Sequence, residues 1–335
     1  MSTLTSQPMV AIVLCTYNGA RHIQEQLDSL LAQSWPIAIR VFDDASSDNT
    51  IDLLHNYNNK LDITVTINSA NHGYVANFES GIKQVLSEGF DYLALCDQDD
   101  IWHVDRIAKG MQAIQAAEKQ SDAQTAVLAH SDLRMINADK ETVHLSFLEY
   151  RRYEISNARS IPTVLGQNGV MGNTVLMNRT LATMAQPFPK DLHVHDYWLA
   201  VLAELHGQRI LINDTLVDYR IHDTNASNST GSIKFGAARL FDGKSWKGFV
   251  KRDYRLPFKE DERLNVIDAL LNDTSKFPPL DDEKIHLLTI FRKYLVFKSS
   301  RINLLYSMLE AGFFRKGFQH RLRLAFSTLL TKRYD

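Results

Sequence analysis

Cysteine is scarce in this chain of 335 residues, which has only Cys15 and Cys96, each predicted at the end of a strand. Two thiols supply neither a disulfide framework nor a cysteine-rich metal cluster, and this favours a reducing compartment. The N-terminus has no basic stretch ahead of a long apolar one, so we expect no signal peptide. No apolar run reaches the roughly 18 residues that a membrane-spanning helix needs. These absences favour a cytoplasmic protein.

Glycine-rich phosphate loops are also missing from the sequence. The turn after the first predicted strand reads TYNGA over residues 16–20, without the G-x-G-x-x-G that dinucleotide-binding folds place there. No G-x-x-x-x-G-K occurs either. The sequence therefore offers little support for a nicotinamide, flavin or P-loop nucleotide site.

Charge is distributed unevenly along the chain, although the formal net charge is only −2. Residues 1–230 carry 16 Lys and Arg against 27 Asp and Glu, whereas residues 231–335 carry 21 against 12. The chain thus has an acidic body and a basic tail.

Strand and helix patterns alternate through the first 120 residues. Short apolar runs bounded by polar residues predict buried strands, and apolar side chains at helical spacing predict helices. The predicted strands are residues 9–15, 37–42, 63–67 and 92–96, and the predicted helices are residues 21–33, 50–57, 74–87 and 105–119. This alternation predicts an α/β fold with a mostly parallel sheet covered by helices.

The remaining chain is less regular. Further strands are predicted at residues 126–135 and 172–177, a strand pair at 209–217, and a strongly apolar helix at 195–205. Residues 137–159 are polar and weakly periodic, which indicates a long loop with one short helix. From residue 232 only helices are predicted, the longest at 281–309 and another at 315–331.

Carboxylates gather where the predicted strands end. Asp43 and Asp44 follow the second strand, and three acids fall within the four residues from Asp97 to Asp100, after the fourth strand. In a parallel sheet these ends share one edge, where α/β folds bind ligands. Acids so close together repel one another, which predicts a divalent cation held by oxygen ligands. The alternative is a solvated acidic turn that caps the next helix.

Short polar motifs follow one another in order along residues 9–228. They are T-Y-N at residue 16, D-D-A-S-S-D at 43, N-x-G-x-x-x-N-F at 71, D-Q-D-D-I-W at 97, Q-N at 167, G at 172, H-D-x-W at 195 and Y-R-x-H-x-x-N at 219. This series resembles family 2 glycosyltransferases of the A-type fold, and D-Q-D-D-I-W and H-D-x-W are similar to bacterial rhamnosyltransferases that build surface polysaccharides. The resemblance implies a catalytic domain (1–230), with a nucleotide-binding half (1–120) and an acceptor half (121–230), before a basic helical C-terminal region (231–335).

The resemblance assigns one group of residues to the nucleotide. They are Thr16, Tyr17, Asn18, Asp44, Asn71, Gly73, Asn77 and Asp97. Tyr17 can stack on a pyrimidine base, or it can be a packed turn tyrosine. The resemblance implies that Asp44 accepts a hydrogen bond from the base imide N–H, with Asp43 as the weaker candidate. The acids from Asp43 to Asp48 can also cap the following helix. Asp97 would hold the ribose.

A divalent metal is also implied. Asp97 and Asp99 resemble the family's Asp-x-Asp, with Asp99 our first choice as metal ligand and Asp100 assisting it. His222 can be a metal ligand, a phosphate donor or a surface imidazole. Mg²⁺ and Mn²⁺ both suit oxygen ligands and leave positions for phosphate oxygens, so one of them is the expected cofactor.

Asp196 is the candidate general base. Transfer of a sugar to a hydroxyl needs a carboxylate on the face opposite the leaving diphosphate, and attack from that face inverts the anomeric configuration. Because Asp196 begins a predicted helix, it can instead be an N-terminal cap. His195 is an alternative base or a neighbour that orients Asp196. Trp198 either packs in the core or forms a wall for the sugar.

Three more residues are predicted to lie near the substrates. Asn168 and Gly172 would border the sugar and the acceptor. Arg220 can grip phosphate oxygens bidentately, so it would close over the diphosphate.

The basic tail allows two interpretations. Its helices can simply pack on the catalytic domain, or they can form an amphipathic surface on an anionic membrane. The residues that suit a membrane surface are Phe313, Phe314, Phe318 and Leu322 with Arg315, Lys316, Arg321 and Arg323. The enzyme would then be peripheral on the inner face of the cell membrane. No nucleic-acid motif accompanies these residues, so we expect no nucleic-acid partner.

The leading hypothesis is an inverting, metal-dependent transferase. On the resemblance alone, it would move L-rhamnose from dTDP-L-rhamnose to a hydroxyl of a growing, lipid-linked bacterial surface glycan. A different UDP- or dTDP-hexose stays open as the donor. A non-catalytic sugar-nucleotide-binding assembly protein is disfavoured because all the required acids are present. A nucleotidyltransferase is disfavoured by Asp196 and by the lack of a glycine-rich, basic first loop.

Overall fold

A computed structural model describes residues 7–121, 124–221, 260–273, 275–296 and 301–313. The strands in this part of the chain are β1 (Val10–Thr16), β2 (Ile37–Asp43), β3 (Ile63–Ile67), β4 (Tyr92–Cys96), β5 (Ile101–Trp102), β6 (Ala126–Ile136), β7 (Thr142–His144), β8 (Leu176–Asn178) and β9 (Gly207–Arg220). The helices before β9 are α1 (Ile23–Leu31), α2 (Thr50–His55), α3 (Tyr74–Ser87), α4 (Arg106–Gln120), α5 (Phe147–Arg151), α6 (Ile161–Gln167), α7 (Arg179–Ala185) and α8 (His195–His206). Glu260–Asn272, Asp282–Val296 and Arg301–Glu310 are helices of the C-terminal region.

The strands form one mixed sheet in the order β3-β2-β1-β4-β8-β6-β9-β5, with β7 paired to β6. The half made of β3, β2, β1 and β4 is parallel, as the alternation of strands and helices predicted. β8 then runs antiparallel to both β4 and β6. The short β8 therefore joins the parallel half to the long pair of β6 and β9, which run parallel to each other.

Helices cover both faces of the sheet, because the side chains of a strand alternate between two cores. Val10, Ile12 and Leu14 of β1 pack into the core that α1, α2 and α4 share. Ala11 and Val13 of the same strand face the core formed with α3, α7 and α8. The expected α/β architecture is thus confirmed.

Three predicted elements were wrong in detail. Residues 137–159 contain the strand β7, which pairs back on β6, as well as the short helix α5. Residues 172–177 begin as a 3₁₀ turn, Gly172–Thr174, before β8. Residues 209–217 belong to one continuous strand, because exposed Asn213 and Asp214 form a bulge where the register against β6 shifts, and not a turn between two strands.

The described C-terminal helices pack on the catalytic body. Val266, Ile267 and Phe291 are buried in the same core as Trp198 of α8, which agrees with the first of the two interpretations of the tail. The predicted helix at 281–309 is described as two helices, Asp282–Val296 and Arg301–Glu310. The predicted helix at 315–331 and the membrane candidates from Phe314 onward lie outside the described residues. No helix among the described residues has the length and apolar character to cross a membrane.

Gly81 of α3 provides a test of how tightly this helix packs on the sheet. A β-carbon at position 81 would lie 2.7 Å from Cγ1 of Val13 and 2.8 Å from Cδ2 of Phe42, both buried. We expect Gly81→Ala to lower the free energy of unfolding by about 1–3 kcal/mol, the usual effect of overpacking, in urea denaturation. The control is Gly166→Ala in α6, where no heavy atom lies within 4 Å of the added carbon. Equal stability of the two variants would contradict the packing.

Candidate active site

The loops that follow β1, β2 and β4 meet at one edge of the sheet. Parallel pairing places Thr16 of β1 opposite Asp43 of β2, and Leu14 of β1 opposite Cys96 of β4. The chain segments after these ends therefore lie side by side, at the carboxyl edge where α/β folds bind ligands. All the predicted nucleotide residues up to Asp97 belong to this edge or to the loop and first turns of α3 beside it.

Asp43 is fully buried and ties the first two loops together. Its carboxylate accepts hydrogen bonds from Oγ1 of Thr16 at 2.7 Å, from the N–H of Ser46 at 2.8 Å and from Oγ of Ser46 at 2.6 Å. A buried carboxylate needs such donors to offset its lost hydration. Thr16 and Asp43 thus have an observed role in loop structure, and the contact of Thr16 with a nucleotide stays a prediction.

Asp44 is the centre of a second buried network. Its carboxylate accepts from Nδ2 of Asn68 at 2.9 Å, from the N–H of His72 at 2.9 Å and from the N–H of Gly73 at 2.8 Å. Only 2% of the residue is exposed. Recognition of the base imide by Asp44 stays a prediction, and a base would have to share this carboxylate with three protein donors.

The other predicted nucleotide residues of the α3 loop support the same network. Nδ2 of Asn77 donates to the carbonyl of Phe42 at 2.7 Å, and its Oδ1 accepts from Asn68 at 2.9 Å. Oδ1 of Asn71 accepts from the N–H of Gly73 at 3.1 Å. Gly73 has φ +84°, a left-handed conformation that glycine adopts without strain. These side chains shape the loop from within.

Asn18 joins the β1 loop to the β2 loop. Its N–H donates to Oγ of Ser46 at 2.8 Å, and its Oδ1 accepts from the N–H of Ser47 at 2.8 Å. Its φ of +48° lies in the left-handed region, which Asn tolerates better than most residues. The D-D-A-S-S-D motif therefore builds the support for the turn that carries Tyr17.

Tyr17 presents its ring at this edge and is 48% exposed, so it is not a packed turn residue. Its backbone is held by the amide of Gln98. The N–H of Tyr17 donates to Oε1 of Gln98 at 2.8 Å, and Nε2 of Gln98 donates to the carbonyl of Tyr17 at 3.0 Å. The exposed ring is therefore available to a ligand while its main chain is fixed.

Three predicted acids come together at the end of β4. Burial raises the pKa of Asp97 to about 7, with further contributions from the negative charges of Asp99 and Asp196. Asp97 and Asp99 follow β4, whereas Asp196 lies nearly a hundred residues later in α8. The structure thus places the candidate base within electrostatic range of the candidate ribose and metal residues.

Asp100 points into the protein and is fully buried. Nδ2 of Asn173 donates to its Oδ2, and the N–H of Arg220 donates to its Oδ1 at 3.2 Å. Burial, with the charges of Asp99 and Asp97, raises the pKa of Asp100 well above its usual value. These contacts assign Asp100 to holding the loop, so among the predicted ligands Asp99 stays our first choice.

Arg220 does not face a diphosphate in this structure, which conflicts with the predicted phosphate grip. The residue is 1% exposed. Its guanidinium donates to the carboxylate of Glu25, to the carbonyl of Ala138 at 3.2 Å and to the carbonyl of Asp99 at 3.1 Å. Burial alone would raise the pKa of Glu25, but Lys140 and Arg220 hold it below its usual value. Arg220 therefore braces the Asp99 loop from behind. His222 lies outside the described residues.

Asp196 is held at the start of α8 by two donors from the preceding segment. Nδ2 of Asn168 donates to its Oδ1 at 2.8 Å, and the N–H of Gly172 donates to its Oδ2 at 3.1 Å. The N-cap position is Val194, with no side-chain cap, so the alternative that Asp196 is the helix cap is wrong. Asn168 and Gly172 are thus brought to the predicted site, as partners of the candidate base.

His195 is a buried neighbour and not an alternative base. Its ring packs on Phe78 at a centroid distance of 4.3 Å, and among the described residues neither ring nitrogen has a hydrogen-bond partner. Burial lowers the pKa of His195 to about 3. A β-carbon at position 172 would lie 2.8 Å from its Nε2, so Gly172 permits this close approach. Trp198 is fully buried and donates to the carbonyl of Ala185 at 3.0 Å, so it belongs to the core and forms no sugar wall.

The donor set suits a divalent cation that arrives with its substrate. In the described part of the chain, no three His, Cys, Asp or Glu side chains form a ready-made metal site. Mg²⁺ bound with a nucleotide commonly uses one or two carboxylates together with substrate phosphates. Burial raises the pKa of Asp97, and the negative charges of Asp99 and Asp196 raise it further; a bound cation would favour the ionised carboxylates. The acids at the end of β4 thus fit a cation that is completed by a diphosphate.

Several residues that build the site were not predicted to do so. Gln98 lies inside the D-Q-D-D motif, and its position between two candidate site residues is a sequence signal that could have identified it. Asn173 directly follows Gly172 and binds Asp100, while Nη2 of Arg106 donates to the carbonyl of Asn173 at 2.8 Å. Glu25 meets Arg220 across almost two hundred residues of sequence, and no local pattern indicates that contact.

Residues 11–174 match the family described as Glycosyl transferase family 2. Residues 11–174 therefore form a domain of this family, and the protein is a glycosyltransferase. It is 26% identical over 234 residues to the dTDP-rhamnosyl transferase RfbG of Shigella flexneri, an alignment that covers 68% of this chain and 78% of that protein.

Two solved structures share the fold. One is S. aureus TarS 1–349 in complex with UDP-GlcNAc, with a TM-score of 0.52 at 15% identity, covering 90% of this chain and 89% of that one. The other is the mannosyltransferase PcManGT from Pyrobaculum calidifontis in complex with GDP-Man and Mn²⁺, with a TM-score of 0.53 at 16% identity, covering 92% and 74%. At these identities the likeness establishes the fold alone.

The buried imidazole of His195 makes a prediction about acid stability. Its pKa is about 3 in the folded protein and about 6.5 when unfolded. Between these values the unfolded chain binds a proton that the folded protein does not, so stability falls as the pH drops from 6.5 toward 3. We expect His195→Phe, which keeps the ring packing, to reduce the slope of unfolding free energy against pH by up to about 1.4 kcal/mol per pH unit in that window. Identical slopes in urea titrations at pH 5, 6 and 7 would show that His195 is not buried neutral.

Proposed function

We propose that this glycosyltransferase is an inverting, metal-dependent enzyme that moves a sugar from a nucleoside diphosphate to a hydroxyl of a bacterial surface glycan. One observation supports the proposal: buried Asp97 lies within electrostatic range of both Asp99 and Asp196 at one edge of the sheet. Two of these acids would serve the donor and the third would serve the acceptor. The exposed ring of Tyr17 lies on the loop that Gln98 joins to the same cluster, where it would stack on the base.

L-Rhamnose from dTDP-L-rhamnose is our preferred donor. Its support is the similarity to RfbG, which is named a dTDP-rhamnosyl transferase, together with the D-Q-D-D-I-W and H-D-x-W motifs. A different UDP- or dTDP-hexose is the alternative donor. The acceptor would be a lipid-linked glycan. The surplus of Lys and Arg in residues 231–335 suits an enzyme that works at the anionic inner face of the cell membrane.

Asp99 would be the main protein ligand of Mg²⁺ or Mn²⁺, and His222 is a second candidate. When bound, the cation would neutralise charge on the departing nucleoside diphosphate. Asp97 would hold the ribose, and buried Asp100 and Arg220 would keep the loop in place through their mutual contact. Asp97, Asp99 and Asp196 would thus each have one task, which is to bind the ribose, the metal and the acceptor proton, respectively.

Asp196 would remove the proton of the acceptor hydroxyl. The acceptor oxygen forms a bond to the anomeric carbon as the bond from that carbon to the phosphate oxygen breaks, and the proton passes to the carboxylate. Attack from the side opposite the leaving group inverts the configuration. The hydrogen bonds from Asn168 and Gly172 hold the carboxylate in one orientation, which supports its assignment to this step.

Donor binding tests the nucleotide and metal assignments together. We expect one sugar nucleotide, dTDP-L-rhamnose, to raise the melting temperature in the presence of Mn²⁺ but not with chelator, because binding to the folded state stabilises it. Asp99→Asn should remove the Mn²⁺-dependent part of the shift. Asp52→Asn, on the exposed side of α2, is the matched control. Preferential stabilisation by a uridine nucleotide would overturn the rhamnose assignment, and an unchanged shift in Asp99→Asn would overturn the metal assignment.

Removal of the base should separate binding from transfer. We expect Asp196→Asn to lower the rate of sugar transfer by about 10²–10⁴, the usual contribution of a positioned base, while the dissociation constant of the donor changes little. The matched control is Asp191→Asn, in the exposed loop before α8, where the left-handed φ of +57° suits Asn. Full transfer by Asp196→Asn in a radiolabelled-sugar assay would place the base elsewhere.

A further inference from the structure

We propose that Gln98 is a positioning residue that fixes the Tyr17 turn to the acidic loop and so orders the donor site for the base. This inference rests on the proposed function, because it takes Tyr17 as the residue that stacks on the base. Gln98 lies between Asp97 and Asp99 in the sequence, so its backbone belongs to the acidic loop. Its side chain reaches the Tyr17 turn. One residue therefore joins the two ends of the donor site.

Two hydrogen bonds in opposite directions join the side chain of Gln98 to the backbone of Tyr17. The amide of Gln98 accepts from the N–H of Tyr17 at 2.8 Å and donates to the carbonyl of the same residue at 3.0 Å. Two bonds from a planar amide to one residue fix both its position and its orientation. A carboxylate could supply only the acceptor, and an aliphatic side chain could supply neither.

Gly19 is shaped for this contact. A β-carbon at position 19 would lie 2.2 Å from Oε1 of Gln98 and 2.6 Å from its Cδ. Any larger residue there would push the amide out of place. The turn is anchored separately on its other side, where the N–H of Gly19 donates to Oγ1 of Thr50 at 2.8 Å. Loss of Gln98 would therefore disturb the Tyr17 turn locally and leave its contact with Thr50 of α2 in place.

The consequence for binding follows from the exposure of the ring. Tyr17 is about half exposed, so without a fixed backbone its ring would lose conformational freedom each time a base binds. A contact that is already ordered in the free protein lowers this entropic cost. Gln98 acts through Tyr17, and it touches neither the proton that moves to Asp196 nor the bond that breaks.

The first test is Gln98→Met, which keeps the length of the side chain and removes both hydrogen bonds. We expect the KM for the donor to rise about tenfold, the equivalent of two neutral hydrogen bonds, while kcat stays within about threefold because the base is untouched. The Mn²⁺ concentration for half-maximal rate should not change. Gln112→Met, on the exposed side of α4, is the matched control and should behave as the wild type.

A ligand without a base makes the test specific. We expect Gln98→Met to weaken the binding of the nucleoside diphosphate in the presence of Mn²⁺, and to leave the binding of inorganic pyrophosphate with Mn²⁺ unchanged, by calorimetry. In a Tyr17→Ala background, where no ring remains to be positioned, Gln98→Met should change nucleotide affinity less than about twofold. Gly19→Ala, which displaces the amide of Gln98, should weaken nucleotide binding in the same way. In a Gln98→Met background it should cause no further loss of affinity.

Two results would overturn the inference while leaving the proposed function intact. One is wild-type KM in Gln98→Met. The other is an equal loss of nucleotide and pyrophosphate binding, which would mean that Gln98 acts on the acidic loop. If the wild-type protein binds pyrophosphate but gains nothing from the base, the role of Tyr17 fails and the inference fails with it. If the wild type binds neither ligand, the proposed function itself is wrong.

Discussion

The burial of carboxylates beside one another is the constraint on which this site depends. Burial and, to a smaller extent, the charges of Asp99 and Asp196 raise the pKa of Asp97 to about 7, so the protein holds these groups together at an electrostatic cost. Hydrogen bonds to the loop from Asp97 to Asp100 offset this electrostatic cost. Asn173 and the backbone of Arg220 bind Asp100, and the guanidinium of Arg220 holds the carbonyl of Asp99. A site held in this way gains most from a ligand that brings positive charge.

The same arrangement explains why so many of the motif residues are buried. Asp43, Asp44 and Asn77 look like ligand contacts in the sequence, yet each is at most 2% exposed and bonded to neighbouring loops. Buried polar groups with satisfied hydrogen bonds rigidify a loop, so the turn that carries Tyr17 and the loop that carries Asp99 are positioned before any ligand arrives. The motif residues therefore hold the loops of the site in place, in addition to any that contact a ligand.

The parallel half of the sheet could be predicted from the sequence because its signals are local. β3, α3 and β4 begin and end at the predicted residues, since each apolar run is bounded by polar turns. The prediction failed where long-range pairing decides the structure. Asn213 and Asp214 resemble a turn, but the neighbouring β6 keeps the chain extended through them as a bulge. Arg220 was predicted to bind phosphate because it is a cation within one of the motifs. Its ion pair with Glu25, far away in the sequence, is visible only in the folded structure.

The packing of Trp198 has a consequence for how this enzyme can be divided. Trp198 and Phe277 meet edge to face at 5.9 Å, and Val266, Ile267 and Phe291 share its core. Trp198 lies on the same helix as Asp196, two residues further on. A shortened protein that ended near residue 230 would expose this apolar face of α8 to water, and exposed patches of that kind promote aggregation. A protein shortened for expression would therefore have to keep these C-terminal helices, although the candidate catalytic residues come before them.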